Sequence, residues 1–532
     1  MATFHGKHRN LEAPTFGRMA EINIYNPRGA APRATNLLYP IAALWGVVFV
    51  VVLTYFLTDL SVGSGSYKYY LLPWCLLTGG IIASPAIFLF YKGKFDPFHP
   101  LVFPAWTYFF PAFFIGGLLL ASGIVEPYYL AFVEDERYNL PLTFFYIMLG
   151  YLSLIVGYTM PIGRMIGDRV TRWLPVWNWT TEKMAGPGLI LLVLGLANTI
   201  LAFTQGLLGF QKVEERGIFD GIVFLLSLFW IEAGLILWLY VFRTTKLGTK
   251  QYLIIATLLI SAFARSAFQG NRGIFINTFI MIAFAFVLSG RKVTLKMGSI
   301  GAVIGFVAVV FGMIYGTTFR SIKQDQRTLE MDKYADVVTS TIEKVGDQEL
   351  MSNLTFGFVA LGERLESVSS LAVIVSNYEK LAPYEELYGI SDNIWTDTVI
   401  FFVPRIIWPN KPVGIEPGKY ADLYFNFSEN AFTMTPIGDL LRNFGPWGVP
   451  LGMIILGILI RGIYAALQEN QEFSFWRSTL YYMLLTSISY EGTYGLIVPS
   501  IVKVGAVSIV GVMILRFFAG PGQNARSGLQ SF

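Results

Sequence analysis

The sequence predicts an all-α polytopic membrane protein of about twelve transmembrane helices, and three observations carry that prediction. The 532-residue chain is 54% hydrophobic and 14% charged, with a mean hydropathy of +0.55, too apolar for a protein whose main solvent is water. Apolar runs of ~20 residues, the length that crosses ~30 Å of hydrocarbon, recur along it. Aromatic residues, 16% of the chain, stand near the ends of these runs, as in Tyr67-Lys68-Tyr69-Tyr70 and Trp106-Thr107-Tyr108, where amphipathic rings suit the headgroup layer.

Twelve stretches qualify as spans: 37–58, 69–90, 100–122, 141–162, 187–208, 218–242, 251–269, 273–289, 297–316, 445–464, 475–490 and 493–516. The stretch 475–490 is the shortest. The chain thus divides into a tail (1–36), nine spans within 37–316, a long polar segment (317–443), three spans within 444–518 and a second tail (519–532). Residues 1–36 are polar and basic, and the run after them is long enough to stay as an anchor, so no cleavable signal peptide is expected. The single cysteine, Cys75, lies in an apolar run and reads as a small buried hydrophobe. No repeat or inverted symmetry between the halves is apparent.

Charge placement sets the orientation. With the N-terminus in the cytoplasm, the inner segments hold 21 lysines and arginines and the short outer connections hold six, while the outer turn Glu134-Asp135-Glu136 is acidic. The positive-inside rule therefore predicts both termini in the cytoplasm and Thr317–Asn443 on the opposite face. A segment of that length needs elements of its own. Leu354, Phe358, Leu361, Leu365, Val368, Ala372 and Val375 recur at spacings of four and three, with Glu363, Glu366, Ser367 and Ser370 elsewhere on the wheel. That pattern predicts an amphipathic helix lying on the bilayer or on the bundle. Met331, Tyr334, Val338 and Val345 predict a weaker helix before it. The half containing Pro383, Pro404, Pro409, Pro412, Pro417 and Pro436 is expected to be irregular.

This orientation brings four arginines to one level: Arg265 near the outer end of its span, Arg272 in Gln269-Gly270-Asn271-Arg272-Gly273, Arg320 after the ninth span, and Arg405 in Val403-Pro404-Arg405-Ile406-Ile407-Trp408-Pro409-Asn410-Lys411-Pro412. A guanidinium fork matches phosphate oxygens two at a time, so the four suit a diphosphate. Arginines at helix ends also snorkel to lipid headgroups. Arg272 and Arg405 are set apart, one by flanking glycines that permit close backbone approach and the other by flanking prolines. His5, His8 and His99 all fall on the cytoplasmic side, so an outer-face base must be a carboxylate. Glu363, Glu416, Asp422, Glu429 and Asp439 lie nearest the arginine-bearing parts, although most acidic residues of such a segment are simply solvated. Glu232, Glu491 and Lys503 lie within or at the edges of spans, where a functional group and a structural Glu–Lys pair are equally good readings. No nucleotide, zinc-protease or serine-hydrolase motif stands in a fitting context, which removes soluble-enzyme and nucleic-acid readings.

The Val403–Pro412 stretch, Thr435-Pro436-Ile437-Gly438-Asp439-Leu440-Leu441-Arg442-Asn443-Phe444-Gly445-Pro446-Trp447-Gly448 and Gly270-Asn271-Arg272-Gly273 together resemble the bacterial O-antigen and exopolysaccharide repeat-unit polymerases of the Wzy type. Residues 250 to 465 carry the likeness. Asp439 stands where that family usually has Glu. The resemblance implies a metal-independent, cofactor-free glycosyltransferase with a GT-C-like helix bundle in the bacterial cytoplasmic membrane. It would move a growing glycan from polyprenyl diphosphate onto a lipid-linked repeat unit, with lipid-linked oligosaccharides and membrane lipid as its partners. Whether a chain-length regulator binds is left open. Arg272 and Arg405, aided by Arg265 and Arg320, would hold the diphosphate, and Glu416 or Asp439 would take the acceptor proton. Trp408, Tyr420, Tyr424 and Phe427 are candidates for stacking on sugars.

Three other readings stand beside this one. A ligase moving finished glycan to another lipid typically presents an outer-face histidine, which this chain lacks. A twelve-span transporter sits poorly with the absent symmetry. The third is a non-catalytic scaffold of a polysaccharide assembly complex, which nothing in the sequence excludes. The orientation is open to a direct check: Ser352→Cys is expected to react with an impermeant thiol reagent in intact cells once any outer membrane is breached, and labelling only after lysis would reverse it.

Overall fold

The computed structural model describes residues 67–208, 219–269, 272–291, 295–323, 331–347, 361–403, 407–408, 417–427 and 432–520. In chain order its helices are α1 (Tyr69–Tyr91), α2 (Val102–Ala121), α3 (Glu136–Thr159), α4 (Pro161–Trp173), α5 (Thr181–Thr204), α6 (Asp220–Arg243), α7 (Thr249–Gln269), α8 (Arg272–Leu288), α9 (Leu295–Lys323) and α10 (Met331–Asp347). They continue with α11 (Val368–Tyr388), α12 (Asn393–Phe402), α13 (Pro417–Phe425), α14 (Thr435–Phe444), α15 (Gly448–Leu467), α16 (Phe475–Ser487) and α17 (Tyr494–Ala519). The chain is an all-α polytopic membrane protein, with no strand among the described residues and nine helices long and apolar enough to cross a membrane.

Nine of the twelve expected spans appear in this set. The expected span 37–58 lies outside the described residues, and α8 is a shorter apolar helix. The expected span 475–490 is corrected: α16 has 13 residues, about 20 Å at the α-helical rise, and Phe475 through Leu485 are all buried. It is an internal helix that turns back into α17.

One end of the bundle, here the upper end, is marked by Lys68, Ala121 and Glu136. The Lys68 N–H donates to the Ala121 carbonyl at 2.9 Å, and the Lys68 ammonium pairs with Glu136 at 2.6 Å. At the lower end the His99 imidazole Nε2 meets the Tyr158 hydroxyl at 2.9 Å, and the Tyr481 hydroxyl donates to the Phe98 carbonyl at 2.6 Å. Two buried apolar clusters fill the bundle. One joins α1, α2 and α3 to α11, α14 and α15, and the other joins α5, α6 and α8 to α16 and α17.

The closest helix contact is α15 against the α3–α4 pair. A Cβ on Gly157 would overlap the Ile454 carbonyl, and one on Gly457 would overlap the Leu154 carbonyl. Backbones approach this closely only where side chains are missing, and in a lipid solvent such packing replaces the hydrophobic drive between helices. Gly157→Ala is therefore expected to cost about 1–3 kcal/mol of overpacking. Gly186, with nothing within 4 Å of its Cβ position, should accept Ala without loss. Thermal unfolding in detergent would compare the two, and equal midpoints would contradict the packing account.

Candidate functional site

The long polar segment enters the bundle. Residues 361–365 form a helical turn, the chain reverses at Glu366-Ser367, and α11 climbs away. The Ser367 N–H donates to the Ala112 carbonyl at 3.4 Å. Ala112 lies nine residues below Ala121, about 14 Å at the α-helical rise. On the way out, Ser376 Oγ accepts from the Glu134 N–H at 2.9 Å and Asn377 Nδ2 donates to the Phe132 carbonyl at 2.9 Å. Ser376 is nine residues beyond Ser367, so both helices measure the same depth. The reversal sits at about half the height of the bundle.

Local sequence makes room for it. α2 is π-helical from Ala105 to Ile115, with Pro111 inside, a wide winding often found at functional positions. A Cβ on Gly116 would sit 2.8 Å from both Glu366 Cα and the Leu365 carbonyl, so the turn seats against a glycine. Residues Val368 through Val375 are buried all round, Ser369 and Ser370 included. From Leu361 onward the expected surface amphipathic helix is therefore corrected to an internal re-entrant segment, while Leu354 and Phe358 lie outside the described residues. The expected irregularity of the proline-rich half is corrected at three of its prolines, while Pro404, Pro409 and Pro412 lie outside the described residues. Pro383 lies inside α11, Pro417 is the first residue of α13, and Pro436 is in the first turn of α14, where a missing N–H costs nothing.

Further along α11 from the turn lies a buried charge cluster. The Arg442 guanidinium pairs with Glu385 at 2.8 Å and Asp439 at 3.2 Å, donates to the Ile390 carbonyl at 2.9 Å, and reaches the Asn393 side-chain oxygen. The Asp439 carboxylate also accepts from Asn443 Nδ2 at 3.1 Å and from the Gly495 N–H at 3.2 Å. Tyr424 donates to Glu385 at 2.6 Å. Burial alone pulls the Arg442 pKa down, but Asp439 and Glu385 outweigh it and hold the pKa above the ordinary value. Asp439, expected from sequence as a base, is fully buried with both oxygens engaged.

Adjoining this cluster through Tyr420, whose ring centroid is 6.0 Å from the Arg442 guanidinium, is a cleft of about 320 Å³ lined by Arg364, Tyr420, Thr433, Ser489, Glu491 and Thr493, among others. Its walls are the re-entrant turn, the approach to α14 and the 488–493 turn. The Arg364 guanidinium bridges to the Glu491 carboxylate across it. The Ser370 and Thr433 hydroxyls meet at 3.0 Å, and the Thr435 N–H donates to the Glu491 carbonyl at 3.3 Å. Two residues from Arg364, the Glu366 side chain is buried in the connecting segment, off the spanning helices. Its Oε1 accepts from the Ser369 N–H at 2.8 Å, and its Oε2 has no hydrogen-bond partner. Desolvation pushes its pKa up to about 7, against the lowering pull of the Ser369 and Val368 hydrogen bonds.

Of the arginines expected from sequence, Arg320 lies near enough to Arg364 for the two to repel electrostatically. Arg265 stands apart, its guanidinium 4.8 Å from the Trp230 ring centroid. Arg272 begins α8, but its side chain lies outside the described residues, as do Arg405 and Glu416. Tyr420 lines the cleft, whereas Tyr424 is spent on Glu385. The equally weighted Glu–Lys reading of Glu491 gives way to its pairing with Arg364. Sequence reasoning passed over Arg364 and placed Glu366 on a solvated face. The signal was there in a Glu-Arg-Leu-Glu run set inside an apolar period and in the paired Gly116-Gly117 of α2.

Removing Arg442 would strand two buried carboxylates, which costs about 3–5 kcal/mol when one member of a buried pair is lost. Arg442→Met is expected to lower the thermal midpoint in detergent far more than Asp439→Asn, and similar midpoints would contradict the cluster's role. No protein-family model matches the chain, and comparison with curated proteins and with solved structures likewise finds no match.

Proposed function

We propose that the protein is a membrane glycosyltransferase, a polysaccharide repeat-unit polymerase that moves a growing glycan from polyprenyl diphosphate onto a lipid-linked repeat unit. The observation that carries this reading is the cleft at the re-entrant turn, where Arg364, with Arg320 nearby, meets Glu491 and stands two residues from the buried Glu366. The positive-inside pattern makes the upper end of the bundle the outer face, so the cleft would open toward the outer leaflet. A diphosphate in the headgroup layer and a sugar above it would then reach one site from one side.

Catalysis of this kind relies on stabilising the charge that develops on the leaving diphosphate, and a guanidinium fork does so with two charge-assisted hydrogen bonds. Glu491 occupies that fork in the resting protein and would give way to the ligand. Arg272 and Arg405 enter the proposal from the sequence alone, and Tyr420 offers a ring to a sugar at the cleft wall. The fully engaged Asp439 is assigned here to holding the site together. A transporter reading draws on the same re-entrant turn, since irregular backbone at depth also lines transport pathways.

Deleting the protein in its host and sizing the surface glycan separates these readings. Polymerase loss leaves single repeat units, ligase loss leaves polymer on the lipid carrier, and transporter loss leaves glycan length unchanged. Losing the charge-assisted bonds, each contributing about 1.5–3 kcal/mol, should make Arg364→Ala elongate about 10–100-fold more slowly at unchanged protein level. Arg364→Lys should recover only part of that loss, and normal glycan length in both variants would overturn the assignment.

A further inference from the structure

Glu366 is a buried carboxylate that the fold does not pair with a cation and hydrogen-bonds only in part. It is 3% exposed, against 39% for the Glu491 side chain, which is paired with Arg364. The Ser369 N–H at 2.8 Å fixes Oε1, and with it the plane of the carboxyl, while Oε2 is left without a partner. Gly116 prevents the turn from shifting, because its backbone lies directly against Glu366 Cα. Two phenols interact electrostatically with Glu366, Tyr108 from α2 and Tyr129 from the turn before α3, and Tyr129 also senses Glu363 and Arg364 from the same segment. Tyr108 and Tyr129 feel both Glu366 and Arg364, so the carboxylate and the cleft's cation flank the same two phenols. Ser370, one turn on, reaches the cleft wall at Thr433.

We infer that Glu366, two residues behind the cleft-lining Arg364 and not itself part of the lining, is the general base of the transfer, its Oε2 receiving the proton of an acceptor hydroxyl seated past that wall. The inference rests on the glycosyltransferase reading above. In the step, the acceptor oxygen forms a bond to the anomeric carbon of the donor sugar as the bond from that carbon to the diphosphate oxygen breaks. The bonding pair leaves with the diphosphate toward Arg364, and the proton passes from the acceptor hydroxyl to Glu366, to be released through the cleft. A buried carboxylate held up near pH 7 is well matched to that exchange, because it is ionised in part and basic enough to take the proton.

The test uses the full chain in lipid vesicles supplied with polyprenyl-diphosphate-linked repeat units. Glu366→Gln is expected to lower kcat about 10²–10⁴-fold with KM for the lipid-linked substrate little changed. Wild-type kcat is expected to fall as pH drops below about 7, where the base becomes protonated, and the residual rate of Glu366→Gln should lack that limb. Wild-type vesicles that polymerise while Glu366→Gln stays within about threefold of them would overturn the base assignment and leave the polymerase reading standing. Should Glu366→Gln fail to accumulate, the wild-type profile decides, and a rate that stays flat well below pH 7 overturns the assignment. If wild-type vesicles make no polymer at all, both fall together.

Discussion

Arg442 sits in a space that excludes water, and its two terminal guanidinium nitrogens reach acceptors on several elements. Glu385 belongs to α11, Ile390 and Asn393 to the start of α12, Asp439 to α14, and Asp439 in turn holds the Gly495 N–H at the head of α17. Tyr424 of α13 closes the set through Glu385. A buried ion pair adds little net stability over a well-packed apolar core, but losing one partner is expensive. The cluster therefore acts less as glue than as a specification of how five helices meet. Because α11 leads out of the re-entrant turn and α17 follows the 488–493 turn, the two walls of the cleft are referred to the same guanidinium.

The turn itself obeys the constraint that a membrane places on backbone. Non-helical chain at depth is tolerated only where its polar groups are satisfied by protein. Glu366 N–H donates to the Gly362 carbonyl at 3.0 Å, Ser367 N–H to Ala112, and Ser369 N–H to the Glu366 side chain. The segment thus carries its own hydrogen bonds into the bundle, and the wide π-helical stretch of α2 with Gly116 supplies the seat.

This also explains which parts were legible in sequence. Nine spans and the short helix α10 followed from apolar length and periodicity, because the lipid-facing and core-facing sides of such helices are both apolar and leave a continuous signal. The depth of α11 did not. Ser367 and Ser370 read as part of a polar face, yet Ser370 donates to the Ser367 carbonyl at 3.1 Å and meets Thr433, so its hydroxyl is buried with partners. Periodicity records which side is polar and is silent on whether the polar groups have found partners. The prolines misled for a similar reason: at the first turn of a helix proline begins structure as readily as it ends it. Near the cleft, Arg320 was legible from charge placement, whereas Arg364 and Glu366 were hidden inside an apparently surface helix.

In the proposed chemistry, Glu491 holds Arg364 until an anion of higher charge arrives, and the cleft then presents one cation to the leaving group and one carboxylate to the incoming hydroxyl. The most direct measurement is a structure of the protein in lipid with a polyprenyl-diphosphate-linked oligosaccharide bound. The account predicts the diphosphate within hydrogen-bond reach of Arg364, Glu491 turned away and the first sugar over Glu366. A lipid diphosphate seated elsewhere with the Arg364–Glu491 pair intact would contradict it.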